Sequence, residues 1–230
     1  MQFYCFTNLT ALAAAMSFAT ISLSSDLDIN MLQRQPDGLH KAALASGGTY
    51  RTGGGSPPKY RMSDLNQLVT DSPTIIVATV ANAAAVLKDD GRFLFTHYQL
   101  NVVETIKGDF AKTDELEMMG GTYTFSDGSI VNWVEPAWKS LRTGTTYILF
   151  LHRWEDVPNQ FRVVSAGQGI FEIASDGEHL ISYTYIPYPY DPLIDDASAG
   201  KEAFLKKVRS MRMRSVEPTR ETRASLSWRP

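Results

Sequence analysis

Apolar and polar positions alternate along most of the middle of the chain, and that period of two predicts strands rather than helices. Thr74–Ala85 (TIIVATVANAAA) opens on β-branched residues and suits a buried strand. Phe93–Ile106 follows, with Phe93, Phe95, His97 and Gln99 on one face and Leu94, Thr96, Tyr98 and Leu100 on the other. Neither face is apolar throughout, which predicts a bulge or bend. Glu115–Met119 is a short strand, Thr122–Phe125 and Ser129–Val134 form a hairpin, and Thr145–His152 (TTYILFLH) is the most apolar stretch. Arg162–Ala166, Gly169–Ala174 and His179–Tyr185 complete the set. Asp90-Gly91, Asp127-Gly128 and Asp176-Gly177 each separate extended stretches, the signature of a tight hairpin whose central residues take positive φ. Short strands joined by such turns predict an antiparallel barrel or sandwich, and there is no room between them for the helices of a parallel α/β sheet.

The period changes at both ends. Asp64–Thr70, capped by Ser63, turns Leu65, Leu68 and Val69 to one side and is stopped by Pro73, so a short helix precedes the strands. Ala199–Met213 places Ala203, Phe204, Val208 and Met211 on one face and Lys206, Lys207 and Arg209 on the other, an amphipathic helix docking on the core. Leu9–Leu23 is an apolar, Ala-rich run of 15 residues, too short for a span of about 20 and suited to a signal segment. The expected organisation is a signal segment over 1–25, a flexible linker over 26–59, a β-barrel domain with its C-terminal helix over 60–214, and a disordered tail over 215–230. This predicts a secreted or periplasmic protein. Retention at a membrane follows only if the N-terminal segment is uncleaved.

Composition narrows the chemistry. The chain has 230 residues, of which 43% are hydrophobic and 20% charged, and one cysteine, Cys5, so an intrachain disulfide and a Cys-rich zinc site are excluded. The formal charge of -3 hides an asymmetry: residues 201–230 hold nine Lys and Arg against three Asp and Glu, and residues 1–200 hold thirteen against twenty-two. Between 60 and 200 nine basic residues face nineteen acidic ones, so the domain offers no basic groove and nucleic acid is not an expected partner. His40, His97, His152 and His179 have no metal-ligand spacing, no Gly-x-Ser-x-Gly is present, and Gly167-Gln168-Gly169 is not a dinucleotide loop. No catalytic residue, metal site or cofactor is therefore assigned.

The segment Asp71-Ser72-Pro73 with Ile75–Val80, the strand Leu100–Glu104 closed by Lys107-Gly108, Gly144 with Tyr147–Leu151, and Gly167–Phe171 together resemble exported bacterial domains. Their strand order is similar to the OB-like barrel of netrin modules and tissue inhibitors of metalloproteinases. The resemblance spans roughly residues 60–185 and implies a mainly β, antiparallel OB-like barrel with short N-terminal and C-terminal helices. It does not carry over protease inhibition, because those inhibitors use an N-terminal cysteine and disulfides that this chain lacks.

Aromatic residues supply the candidate binding surface. Tyr183, Tyr185, Tyr188 and Tyr190 alternate through a proline-rich stretch (YTYIPYPYDP), and Trp133 and Trp138 flank Glu135-Pro136. Aromatic side chains combine large contact area with a polar handle and are enriched at recognition surfaces. The expected function is a non-catalytic binding or interaction module for a protein, peptide or glycan. The alternative is a hydrolase of envelope polymers in which Glu104 or Glu135 works beside His97 or His152.

Overall fold

The computed structural model describes residues 29, 31–53, 62–136, 138–154, 157–183 and 192–215. The signal segment, the Gly-Gly-Ser-Pro-Pro stretch after Gly53 and the tail beyond Ser215 lie outside them. In chain order the elements are α1 (Gly38–Ala45), β1 (Thr49–Gly53), α2 (Leu65–Asp71), β2 (Thr74–Lys88), β3 (Phe93–Lys107), β4 (Glu115–Met119), β5 (Gly121–Thr124), β6 (Ile130–Val134), β7 (Thr146–Arg153), β8 (Gln160–Val163), a 3-10 turn (Ala166–Gly169), β9 (Ile170–Ile173), β10 (Leu180–Ser182), α3 (Pro192–Ser198) and α4 (Lys201–Ser215).

Five strands close on themselves in the order β7-β2-β3-β4-β8, and β8 returns to β7. The protein is therefore mainly β, with a closed, OB-like five-stranded barrel and short helices at its ends. Its ladders are antiparallel except β4–β8, where Glu115 and Leu116 run parallel to Gln160 and Phe161. Three bulges in the β2–β3 ladder, with the extra residue on β3 at Ile106 and Val103 and on β2 at Ala81, supply the curvature that closure needs, which explains the broken alternation of β2 and β3.

Inside the barrel lie Ile76, Tyr98, Leu116, Tyr147, Leu149 and Phe161. The alternate residues of β2 and β7, among them Ile75, Val77, Ile148 and Phe150, face outward into α2 and α4, where Phe204 and Val208 are fully buried. β7 is consequently covered on both faces, as its apolar sequence predicts. Asp64, not Ser63, caps α2: its carboxylate accepts from the Gln67 backbone N–H at 2.8 Å, while the Gln67 side chain accepts from the Ser63 N–H at 2.9 Å. This is the reciprocal capping arrangement shifted by one residue.

Two expectations change. Residues 38–53 are not linker. Leu39, Ala42 and Ala43 recur at helical spacing and are fully buried, and β1 pairs in parallel with β6, Thr49 opposite Ile130. Small residues made this segment look featureless, but Ala42 and Ala43 let α1 approach closely to Val131 and Trp133. Of the three Asp-Gly turns, only the first has both residues at positive φ (Asp90 53°, Gly91 78°). At the other two only the glycine does, and the aspartate acts through its side chain. Asp127 accepts from Ser129, and Asp176 accepts from the backbone N–H groups of Glu178 and His179.

Candidate functional site

The outer face of the barrel that no helix covers among the described residues carries their densest polar constellation. β3 and β4 are antiparallel, with Phe95 opposite Met119 and His97 opposite Glu117. Because Leu116 and Met118 point inward, Glu115, Glu117 and Met119 must point out. β8 adds Arg162 on one side and the far end of β2 adds Lys88 on the other. His97 bonds through Nε2 to Glu117 at 3.0 Å and through Nδ1 to Glu115 at 2.9 Å. Arg162 donates to the second Glu117 oxygen at 2.6 Å, and Lys88 also donates to Glu117.

The Glu117 side chain is only 1% exposed. Burial alone would raise its pKa, but hydrogen bonds from His97, Lys88 and Arg162 hold it at about 2. The hydrogen bond to Glu117 raises the His97 pKa above its ordinary value against the opposing effect of burial, and Glu115 adds to the rise. Arg162 lies over the Trp154 ring, and both Lys88 and Arg162 approach the Phe95 ring, at 5.2 and 5.7 Å from its centroid.

Beside this cluster runs a groove of about 270 Å³ lined by Phe95, Glu117, Met119, Trp138, Arg162 and Val163. A second hollow of about 230 Å³, lined in part by Thr122, Asn132, Glu135 and Lys139, shares Met119 and Trp138 with it. Trp138 divides the two, its indole N–H donating to the Met119 carbonyl at 3.3 Å.

The expected aromatic residues separate. Trp138 is at the groove. Trp133 is buried beneath α1 and β1, its ring 6.0 Å from Phe93, and its indole N–H has no partner among the described residues. Tyr183 is buried at the barrel wall: its hydroxyl donates to Glu172 at 2.8 Å and meets the Tyr147 hydroxyl at 3.0 Å, and burial pushes its pKa up. Trp133 and Tyr183 are thus core side chains: Trp133 lies within β6 on the face that α1 covers, and Tyr183 follows β10 and fills the barrel side. Tyr185, Tyr188 and Tyr190 lie outside the described residues.

The acid–histidine pairings expected of a hydrolase do not form. Glu104 is held by Arg209 of α4 in a two-oxygen contact at 2.8 and 2.9 Å. Glu135 is buried beside the second hollow. His152 sits opposite Arg162, its pKa lowered by burial. Among the described residues, no group of three or more His, Cys, Asp or Glu side chains is arranged to hold a metal, and no helix is long and apolar enough to cross a membrane.

Lys88, Phe95, Glu115, Glu117 and Arg162 escape sequence reasoning. The available signal is the match between His97 on β3 and Glu115-x-Glu117 on β4, which share a face of adjacent strands; Arg162 carries none, because β8 joins β4 in parallel from 45 residues away. In comparisons with known proteins, the chain matches no family model and no curated protein.

Proposed function

We propose that this protein is an exported, non-catalytic binding module that takes an apolar peptide side chain in the groove beside Trp138. The observation that carries this reading is a lining of Phe95, Met119, Trp138 and Val163 next to a charged set whose members are already paired with one another. Apolar walls that include a thioether adapt to varied apolar side chains. A glycan needs free donors and acceptors, and Glu117 and Arg162 spend theirs on each other.

The same pairing argues against acid–base catalysis. A general base or acid works best with a pKa near the operating pH. Glu117 is held at about 2 and stays ionised, and His97 has both ring nitrogens on carboxylates that favour its charged form. The cluster fixes the shape of the face. Export rests on the apolar run Leu9–Leu23.

The test is binding of the chain to immobilised panels of peptides and glycans, repeated with Trp138→Ala and Phe95→Ala. Peptides carrying aromatic or branched apolar residues should be retained. Each substitution should weaken them about thirtyfold, the loss expected of an anchor worth ~2 kcal/mol. Unchanged binding in both variants, or turnover of an envelope polymer abolished by Glu117→Gln, would overturn the reading. N-terminal sequencing of secreted material that begins at Met1 would count against a cleaved signal.

A further inference from the structure

β2 is fifteen residues long, but β7 covers only its first part. The β2–β7 ladder ends at Thr79 opposite Thr146, and the last bonds on that edge run between Val80 and the Gly144–Thr145 turn. From Ala81 to Lys88 the strand has no β7 partner; Asn82–Lys88 pairs on one side only, with β3, and Ala81 is the extra residue of the bulge before it. Among the described residues nothing pairs with its other edge, and Ala81–Ala84 are exposed.

Sheet edges in monomeric proteins are usually blunted by charge, proline, bulges or covering loops. This one is not. Between Asn82 and Lys88 the register with β3 runs without a shift, the sequence is NAAAVLK, and its one charge stands at the end. Four small Ala side chains in Ala81–Ala85 leave the backbone open to close approach. Such a segment is a template for a further strand.

We propose that the occupant is a second copy of this chain, pairing β2 with β2 antiparallel about a two-fold axis. Symmetry restricts the register. The two copies present the same sheet face on the same side, so opposed residues must share a face and the axis must pass through a residue rather than between two. The centre of Ala81–Lys88 then places it at Ala84 or Ala85. Either register carries the exposed acidic turn Asp89–Asp90 of one copy to the end of the slot. There the other copy's loop presents the exposed cation Lys139, beside Arg142, whose guanidinium already holds Glu172. The two-fold makes that opposite-charge contact twice. Ala84 and Val86 share their face with His97 and Phe95, so the paired hairpins form one continuous sheet between two copies of the charged cluster.

A charge on the axis meets itself, which gives a sharp test. The full chain should run as a dimer by light scattering. Ala84→Lys and Ala84→Glu, both at an exposed position, should each be monomeric with an unfolding midpoint equal to that of the wild type diluted below its dissociation, and an equimolar mixture of the two should recover the dimer. In a Cys5→Ser background, Ala84→Cys or Ala85→Cys should form a disulfide-linked dimer on oxidation, because paired antiparallel residues stand about 4.5–5.5 Å apart at Cα, within disulfide range. A monomeric wild-type chain overturns the proposal, as does a dimer that survives both charged substitutions or fails to cross-link at either cysteine. A monomer that instead takes up an added extended peptide on this edge removes the second copy as the occupant.

Discussion

On one side of the barrel, Phe150 and Phe171 point outward and meet Phe204 of α4, with Phe171 and Phe204 centroids 4.7 Å apart. On the other, Phe95 and His97 point outward and meet Glu117, Arg162 and Lys88. Both faces belong to the same closed sheet, and both side-chain sets are largely withdrawn from water. The helix-covered face is stabilised by non-directional burial. Among the described residues the open face has no helix over it, its carboxylate is kept dry by cations whose stems lie across it, and each polar atom there needs a specific partner. The first arrangement tolerates substitution of similar volume; the second tolerates almost none, but it leaves a groove.

The contrast can be broken most strongly from the covered side. Phe204→Ala removes a ring in contact with Phe150 and Phe171 and should cost about 3–5 kcal/mol in denaturant unfolding, with no effect on groove binding. Glu117→Gln leaves Lys88, His97 and Arg162 around a neutral group and should cost about 3 kcal/mol. Its pH signature separates it from a packing defect. The folded pKa of Glu117 is depressed, so its contribution is full above the ordinary carboxylate value and is lost as pH falls towards 2. The wild type should lose stability over that acid window more steeply than the variant.

The next effect is a titration. His97 should titrate above 6.5 and His152 below it by NMR. With a raised folded pKa, the His97 contribution is complete below about pH 6.5 and is lost as pH rises beyond it through the raised folded value, so His97→Asn should flatten the alkaline decline of stability. The smallest stability effect is expected for Trp138→Ala, about 1 kcal/mol, because the ring is half-exposed; its effect should appear in ligand binding.

Local chemistry explains what could be read beforehand. β4 falls on Glu115–Met119 as alternation predicts, α4 on its amphipathic stripe, and each Asp-Gly pair lies at a turn, because these depend on residues a few positions apart. α1 was hidden because Ala42 and Ala43 give little apolar contrast in a stretch followed by Gly, Ser and Thr. The parallel joins β1–β6 and β4–β8 leave no local mark, and the charged cluster depends on the second of them. The tyrosines show a further limit: alternation places Tyr183 on a strand face, but only the closed barrel determines that the face is the inner one.

The β4–β8 join also bears on how the chain reaches its fold. β4 ends at Met119 and β8 begins at Gln160, with the β5–β6 hairpin and β7 between them. During synthesis, four of the five strands are made before the one that seals the barrel. A contact of such long sequence separation forms slowly compared with the β2–β3 hairpin, whose strands are separated by a four-residue turn. Until Gln160–Val163 arrives, β4 presents an open edge of its own, and the nascent chain passes through an interval in which that edge can be captured by the wrong neighbour.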